Sequence, residues 1–205
     1  MINLILIIVT VGISISAFSN ENLFRNLSFN AYAVAHQRQY HKLFTYGFVH
    51  ANGIHLFVNM FVLWMFGKNL EASYVYLFDQ KGHAIYLLLY VSSIVVSTMY
   101  DLKKHKDNYY YNAVGASGAT SAIVFAYILL YPTQKLYLLF IPIGIPAFFF
   151  AALFLIYSAY MAKKKMDNIG HTAHFMGAVY GFLFVLIFNY KLIIHFVIQI
   201  VDFLT

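Results

Sequence analysis

Long apolar runs separated by short polar stretches are the feature of this sequence that most restricts its fold. Of the 205 residues, 62% are hydrophobic and 10% are charged, whereas a soluble domain has about a quarter of its residues charged. A helix of about 20 apolar residues crosses a bilayer. We therefore expect an all-α fold, a polytopic bundle of six transmembrane helices. The predicted spans are Ile2–Phe18, Ile54–Gly67, His83–Met99, Ala113–Tyr131, Leu136–Met161 and His171–Phe188.

The composition also excludes some kinds of catalytic and binding site. The chain has no cysteine, which excludes disulfides, thiolate metal sites and cysteine nucleophiles. Its net charge of +6 comes from 13 basic residues scattered between apolar runs. Such residues are typical of membrane boundaries, so we expect contact with a lipid bilayer and not with nucleic acid. No internal repeat or linker divides the sequence, and we expect a single domain over residues 1–205.

The residues between the apolar runs also predict the structure of the segments that connect the spans. The first basic residue is Arg25, after the first apolar run, so we expect this run to be a retained span and not a cleaved signal peptide. Polar and aromatic residues alternate in Asn20–Tyr46, which is typical of a segment lying in the membrane interface. Lys68–Gly82 and Asp101–Asn112 are predicted to be polar loops.

The fifth span contains two prolines, and the C-terminal tail contains a short apolar run. Pro142 and Pro146 each remove a backbone hydrogen bond, which predicts a kinked helix. The basic run Lys163–Lys165 is expected to end this span. The tail, Lys191–Thr205, has an apolar run of about 10 residues, which is short of a span. It either extends the sixth span or forms an interfacial helix.

The segment Val114-Gly115-Ala116-Ser117-Gly118-Ala119 opens the fourth span. Ser117 thus stands where a helix begins, and the first turn of a helix leaves N–H groups without intrahelical partners. A hydroxyl beside free N–H donors is half of an acyl-transfer site. Small residues such as Gly115 and Gly118 are also usual at helix contacts in membranes, so the motif alone leaves both interpretations open.

Polar residues also stand near the start of the second span. His55 and Asn59 are four residues apart and share one helical face, whereas His50 precedes them on the entry turn. Polar side chains are costly inside a membrane and normally face the bundle interior. The alternative interpretation is a hydrogen bond that only holds the helices together.

The sixth span begins in a similar way. His174 is followed on one helical face by Gly177 and Gly181, which allow close approach of another helix. Because each crossing reverses the chain, spans two, four and six all begin at the same membrane face. His174, Ser117 and the polar residues of span two therefore fall at similar depth, whereas packing residues placed at random would scatter over both faces.

A serine, a histidine and hydrogen-bond donors at one depth can catalyse acyl transfer. His174 can remove the proton of Ser117 as the serine attacks a carbonyl, and then return it to the leaving amine. Asn59, His55 and the backbone N–H of Ser117 can hold the oxyanion, where one lost donor typically costs about 3 kcal/mol. No acidic residue lies near these positions in sequence, so we expect a dyad. A metal site is disfavoured, because these motifs bring no carboxylate or thiolate ligand.

These motifs together resemble those of the rhomboid intramembrane serine proteases. The resemblance covers residues from about Phe44 to Phe188. It rests on His50-x-x-x-x-His55-x-x-x-Asn59, Gly115-Ala116-Ser117-Gly118 and Ala173-His174-x-x-Gly177-x-x-x-Gly181. It implies a six-helix bundle with a water-filled cavity, Ser117 as nucleophile, His174 as base, Asn59 and His55 as oxyanion donors, and His50, Gly115 and Gly118 in support.

The resemblance further implies a multi-pass protein of a bacterial inner membrane, with no cofactor and no metal. Its substrates would be transmembrane segments of other proteins, cut at or near the bilayer surface. Since a helix must unwind before its amide is attacked, we expect Gly, Ala or Pro near the cut. The alternative is an inactive rhomboid-like protein that binds and escorts membrane clients, against which the intact Ser117 and His174 argue.

Three features depart from the family pattern. Tyr40-His41-Lys42 stands where the family's first loop often carries Trp-Arg. Four residues after the nucleophile the family usually has an aromatic residue that packs on the catalytic histidine; here it is Ser121, whose hydroxyl we hypothesise to hydrogen-bond His174. The common bacterial orientation places nine basic residues outside and four inside, against the positive-inside tendency, so the orientation stays open.

Overall fold

The computed structural model describes residues 1–137, 143–164 and 169–205, and helices dominate them, as predicted. The helices are α1 (Ile2–Phe18), α2 (Glu21–Leu27), α3 (Ala31–Gln37), α4 (Lys42–Thr45), α5 (Gly53–Val62), α6 (Lys68–Phe78), α7 (Lys81–His105), α8 (Ser117–Leu130), α9 (Ala147–Lys164), α10 (His171–Phe184) and α11 (Leu192–Leu204). Short 3₁₀ turns follow α4 (Tyr46–Phe48) and α10 (Val185–Ile187). The strands are β1 (Phe29–Asn30), β2 (Asn112–Ala113), β3 (Lys135–Tyr137) and β4 (Gly144–Pro146), and they pair β1 with β2 and β3 with β4.

The helices differ in their capacity to cross a membrane. Within the described residues, α7 and α9 are each long and apolar enough to do so alone. Two bent pairs, Lys42–Phe48 with Gly53–Phe78 and His171–Ile187 with Leu192–Leu204, meet the same criterion when each pair is taken together. α1 and α8 are apolar but shorter, with 17 and 14 residues. Each predicted span contains a helix, while the count of six crossings stays a prediction.

The second predicted span extends well beyond its apolar run. α5 continues through one turn of π-helix, Leu63–Gly67, directly into α6. The prediction of a polar loop from Lys68 was therefore wrong for most of its length. Glu71 is buried in this helix, where its carboxylate accepts hydrogen bonds from the N–H groups of Ile2 and Asn3 at 2.9 and 3.0 Å. The carboxylate thereby satisfies free N–H groups at the start of α1, which explains its place inside the bundle.

Pro146 of the fifth predicted span does not kink a helix. Lys135 lies opposite Pro146 in the β3–β4 pair, and α9 begins only at Ala147. A proline fits just before a helix because it lacks only an N–H that would have no intrahelical partner there. In its described part, the predicted kinked span therefore consists of a pair of strands followed by a helix. Pro142 and Lys165 lie outside the described residues.

α8 is the central helix of the bundle. Every residue from Gly118 to Leu130 is buried, and α7 and α10 pack along it. Gly177 of α10 lies against the backbone of Gly118, and Gly181 lies against the backbone of Ala122, so that a Cβ on either α10 glycine would overlap backbone atoms. The missing side chains let α10 approach α8 at backbone distance, which fixes the relative position of their first turns.

The polar segment before α5 is tied to the bundle by a buried lysine. Lys42 donates hydrogen bonds to the carbonyl oxygens of Arg25, Asn26 and Ser28 at 2.6, 2.9 and 3.2 Å. Burial lowers the pKa of Lys42 from its ordinary value, while the three carbonyl oxygens favour its charged form. β1, from the same segment, pairs with β2 just before α8.

The C-terminal tail is a separate helix and not an extension of the sixth span. α11 turns by 115° from the direction of α10. Its Gln199 amide donates to the carbonyl of Leu130 at the end of α8, at 3.2 Å, and Phe196 packs edge-on against Phe182 of α10. α11 therefore lies across the end of α8 that is opposite Ser117.

Candidate active site

A cavity of about 1160 Å³ opens between the first turns of α5, α8 and α10. Its wall includes Gly115, Ser117, His55, Asn59 and His174. The structure thus brings together polar residues from the starts of the second, fourth and sixth predicted spans, which are far apart in sequence.

Ser117 is the first residue of α8 and follows a glycine with a left-handed backbone. Gly115 has a φ angle of +110°, which residues with a Cβ rarely adopt. Its N–H donates to the carbonyl of Tyr46 at 3.0 Å. A Cβ on Gly115 would also lie 2.5 Å from Cε1 of the His55 ring. Both backbone conformation and space therefore require glycine here, and His55 packs directly on the turn that presents Ser117.

The first turn of α10 lies against the first turn of α8. A Cβ on Gly118 would lie 3.3 Å from the carbonyl oxygen of Ala173, so the neighbours of Ser117 and His174 are in contact. Within the described residues, no hydrogen bond joins the Ser117 hydroxyl to the His174 ring. Such bonds are often long before substrate binds and shorten in the complex.

His50 lies behind the turn that carries Ser117 and not on the cavity wall. Its ring is fully buried, and Nε2 accepts a hydrogen bond from the N–H of Ala116 at 3.3 Å. Because a backbone N–H only donates, Nε2 carries no proton and Nδ1 carries it instead. Nδ1 then donates to Ser14 of α1 at 2.9 Å, and Ser14 donates to the carbonyl of Phe48 at 2.8 Å. A neutral His50 thus connects α1 to the nucleophile turn.

His55 and Asn59 stand one turn apart on α5, as their spacing predicts. Asn52 caps this helix, and its side chain accepts a hydrogen bond from the His55 N–H at 2.8 Å. Nδ2 of Asn59 donates to the carbonyl of His55 at 2.9 Å, and Oδ1 accepts from the hydroxyl of Thr120 at 3.1 Å. Thr120 was not predicted as a site residue, although a hydroxyl three residues after Ser117 in an apolar run was an available signal.

An aromatic ring from α9 accompanies His174. The ring of Phe154 lies nearly parallel to the imidazole, at 24°, with centroids 6.3 Å apart. Ser121 is buried and lines the same cavity, but in the described part of the chain it forms no hydrogen bond with His174. The ring that the family pattern places one turn after the nucleophile is therefore supplied here by another helix, which sequence spacing did not indicate.

The cavity has a polar end and an apolar end. At the polar end, before β2, Tyr111 and the nearby carboxylate of Asp101 both line the cavity. Burial and this negative charge raise the pKa of Tyr111, which keeps the phenol protonated. At the other end the wall includes apolar side chains of α5, of the π-helical turn after it and of α9, namely Val62, Phe66 and Phe150. The cavity therefore suits a chain segment that is apolar along one part and polar along the next.

Comparison with known proteins identifies the family. A family model described as the Rhomboid domain matches residues 37–191, more than half of the chain. A search of curated proteins finds no match. Rhomboid proteins are intramembrane proteases or inactive homologues of them, and act on membrane proteins within the bilayer. The match confirms the resemblance seen in the sequence, and the chain belongs to the rhomboid family of integral membrane proteins.

Proposed function

We propose that this protein is an intramembrane serine endopeptidase that hydrolyses peptide bonds in transmembrane segments of other proteins. Residues 1–205 would act as one rhomboid domain, with Ser117 and His174 as a catalytic dyad and no cofactor. The observation that carries the proposal is the shared cavity, which is lined by Ser117, His174, His55 and Asn59 and lies beside the first turns of α8 and α10, where these helices pack at backbone distance.

Acylation follows from the proposed roles. His174 removes the hydroxyl proton of Ser117 as Oγ attacks the substrate carbonyl carbon, which forms a tetrahedral oxyanion. The Ser117 N–H, which belongs to the first helical turn and so has no intrahelical acceptor, and the side chains of His55 and Asn59 stabilise that charge. His174 then gives its proton to the amine as the C–N bond breaks, and the carbonyl remains bound to Ser117 as an ester.

Deacylation repeats these steps with water. His174 removes a proton from water as the water oxygen attacks the ester carbonyl, and the same donors hold the second oxyanion. Collapse of this intermediate releases a carboxylic acid and returns the proton to Ser117. The dyad is thereby restored without any further reactant.

The cavity supports a transmembrane helix as the substrate class. Its apolar end between α5 and α9 suits membrane-embedded residues, while the Ser117 end at the helix starts suits a segment near the bilayer surface. A helical amide is shielded by its own hydrogen bonds, so the segment must unwind before Oγ reaches it. Gly, Ala or Pro near the scissile bond would ease unwinding.

The test is cleavage of a tagged single-span substrate in liposomes. The unaltered protein is compared with Ser117→Ala and His174→Ala, and with matched controls at exposed positions, Ser16→Ala on α1 and His195→Ala on α11. Each variant is checked for folding by its thermal unfolding. A fluorophosphonate probe, followed by mass spectrometry of the labelled peptide, independently identifies the nucleophile.

The proposal expects cleavage and labelling in the unaltered protein and both controls, with cleavage lost in Ser117→Ala and His174→Ala. Full cleavage by a folded Ser117→Ala protein would overturn the mechanism. Binding of the substrate without cleavage by any of the proteins, and without labelling, would instead favour the inactive rhomboid-like escort.

A further inference from the structure

We propose that Thr120 is a positioning residue for the oxyanion donor Asn59, an inference that rests on the proposed function. Its hydroxyl donates to Oδ1 of Asn59 at 3.1 Å across the α5–α8 contact. Both side chains are buried, with 5% and 4% exposed, and both line the cavity beside Ser117. The hydrogen bond therefore lies inside the site and joins the helix of the nucleophile to the helix of the donor.

The surroundings determine which way the Asn59 amide faces. A carbonyl oxygen only accepts hydrogen bonds, so the group 2.9 Å from the His55 carbonyl must be the NH₂ of Asn59. Oδ1 then faces Thr120, whose hydroxyl must donate to it. A reversed amide would place two carbonyl oxygens at hydrogen-bond distance, without a proton between them. In the observed orientation one N–H of Asn59 donates to its own helix. The second has no partner in the described part of the chain and is available to a ligand in the cavity.

Thr120 also ties this amide to the nucleophile. Its hydroxyl lies 3.1 Å from the backbone carbonyl of Ser117, so one proton is shared between the two acceptors. Without the hydroxyl, Oδ1 of Asn59 would lose its buried donor, while the hydrogen bond to the His55 carbonyl would remain. The amide plane would then be held at one end only, and its second N–H would no longer be fixed toward the oxyanion that it is proposed to stabilise.

The variants separate the hydroxyl from the shape of the side chain. Thr120→Val removes the hydroxyl and keeps the branched shape, whereas Thr120→Ser keeps the hydroxyl and removes the methyl group. Thr10→Val on α1 is the matched control, since Thr10 is a buried threonine that does not line the cavity. Each change is also made in an Asn59→Ala background, and kcat and KM are measured in liposomes at varied substrate fraction.

The expected result is a loss in kcat with little change in KM. Loss of one oxyanion donor typically lowers kcat by about 100-fold or more. We expect Thr120→Val to lower kcat by about 10-fold, because the Asn59 N–H would be misplaced but still present. Thr120→Ser should restore most of the rate, and Thr10→Val should leave it unchanged. In the Asn59→Ala background, Thr120→Val should have almost no further effect, because the group that it positions is already gone.

The inference fails if Thr120→Val lowers kcat by the same factor with and without Asn59, or if only KM changes, because Thr120 would then act independently of the amide. This outcome differs from failure of the proposed function. If the unaltered protein does not cleave, or Ser117→Ala cleaves fully, the function is wrong and the role of Thr120 is overturned with it. If Ser117→Ala is inactive, but Thr120→Val lowers kcat by the same factor in the unaltered and the Asn59→Ala proteins, only the role of Thr120 is wrong.

Discussion

The N–H of Ala116 donates to Nε2 of His50 at 3.3 Å, so a buried ring on the entry turn of α5 holds the residue before Ser117. His50 does not line the cavity. Its other nitrogen is engaged by Ser14 of α1, and this arrangement requires the neutral ring. The position of Ser117 therefore depends on a hydrogen-bonded connection that reaches α1.

We predict that His50→Leu lowers cleavage at least about 10-fold and the free energy of unfolding by about 1–3 kcal/mol, because the buried Ala116 N–H loses its acceptor. Ser14→Ala, which leaves that acceptor in place, should cost less in both respects. Cleavage in liposomes and unfolding in mixed micelles measure the two effects. A His50→Leu protein that cleaves at the unaltered rate would contradict a positioning role.

Part of this site follows from the sequence alone. The four-residue spacing of His55 and Asn59 predicts a shared face, and the alternation of span directions predicts that both approach Ser117. These inferences need only helical periodicity and the reversal of the chain at each crossing. The match of the family model to residues 37–191 then confirms the family.

The rest depends on contacts between residues that are far apart in sequence. The sequence predicts a loop around Glu71, because its hydrogen-bond partners at the start of α1 are almost seventy positions away. Phe154 contacts the His174 ring from another helix, and nothing in its sequence spacing connects the two residues. Pro146 indicates a kink when the β3–β4 pairing is unknown. Local patterns predict the helices, whereas hydrogen-bond partners across helices require the packed structure.

Gly115→Ala should lower the rate of cleavage by more than the accompanying loss of stability explains. An alanine here would have to keep a disfavoured φ of +110°, and its Cβ would overlap the His55 ring. We expect the free energy of unfolding to fall by about 1–3 kcal/mol. We expect cleavage to fall at least about 10-fold, since a shift in the turn moves Ser117 itself. Gly12→Ala is the control, because nothing lies within 4 Å of its new Cβ. Equal activity of the two variants in liposomes would refute this account.

Glu71→Ala should reduce stability and leave the chemistry intact. The change removes the acceptor for the N–H groups of Ile2 and Asn3, and we expect the free energy of unfolding to fall by about 1–3 kcal/mol. Glu21→Ala is the matched control; its carboxylate pairs with Arg25 at an exposed position, which is worth about 0.5 kcal/mol or less. Unfolding in mixed micelles should separate the two variants, while cleavage per folded molecule stays unchanged in both. Loss of cleavage in fully folded Glu71→Ala would place this carboxylate in the catalytic path.

Phe154→Leu should slow the chemical step, because the flat ring beside His174 restricts the tilt of the imidazole, whereas the smaller, branched side chain of leucine does not. Aromatic contacts contribute about 0.5–1.5 kcal/mol beyond their buried area, so we expect kcat to fall by about 2- to 10-fold with KM unchanged. Phe149→Leu on the same helix is the matched control, since its side chain is 50% exposed. The measurement is kcat and KM in liposomes for both variants. A rise in KM alone for Phe154→Leu would assign this ring to substrate contact, and equal losses in the two variants would assign it to the packing of α9.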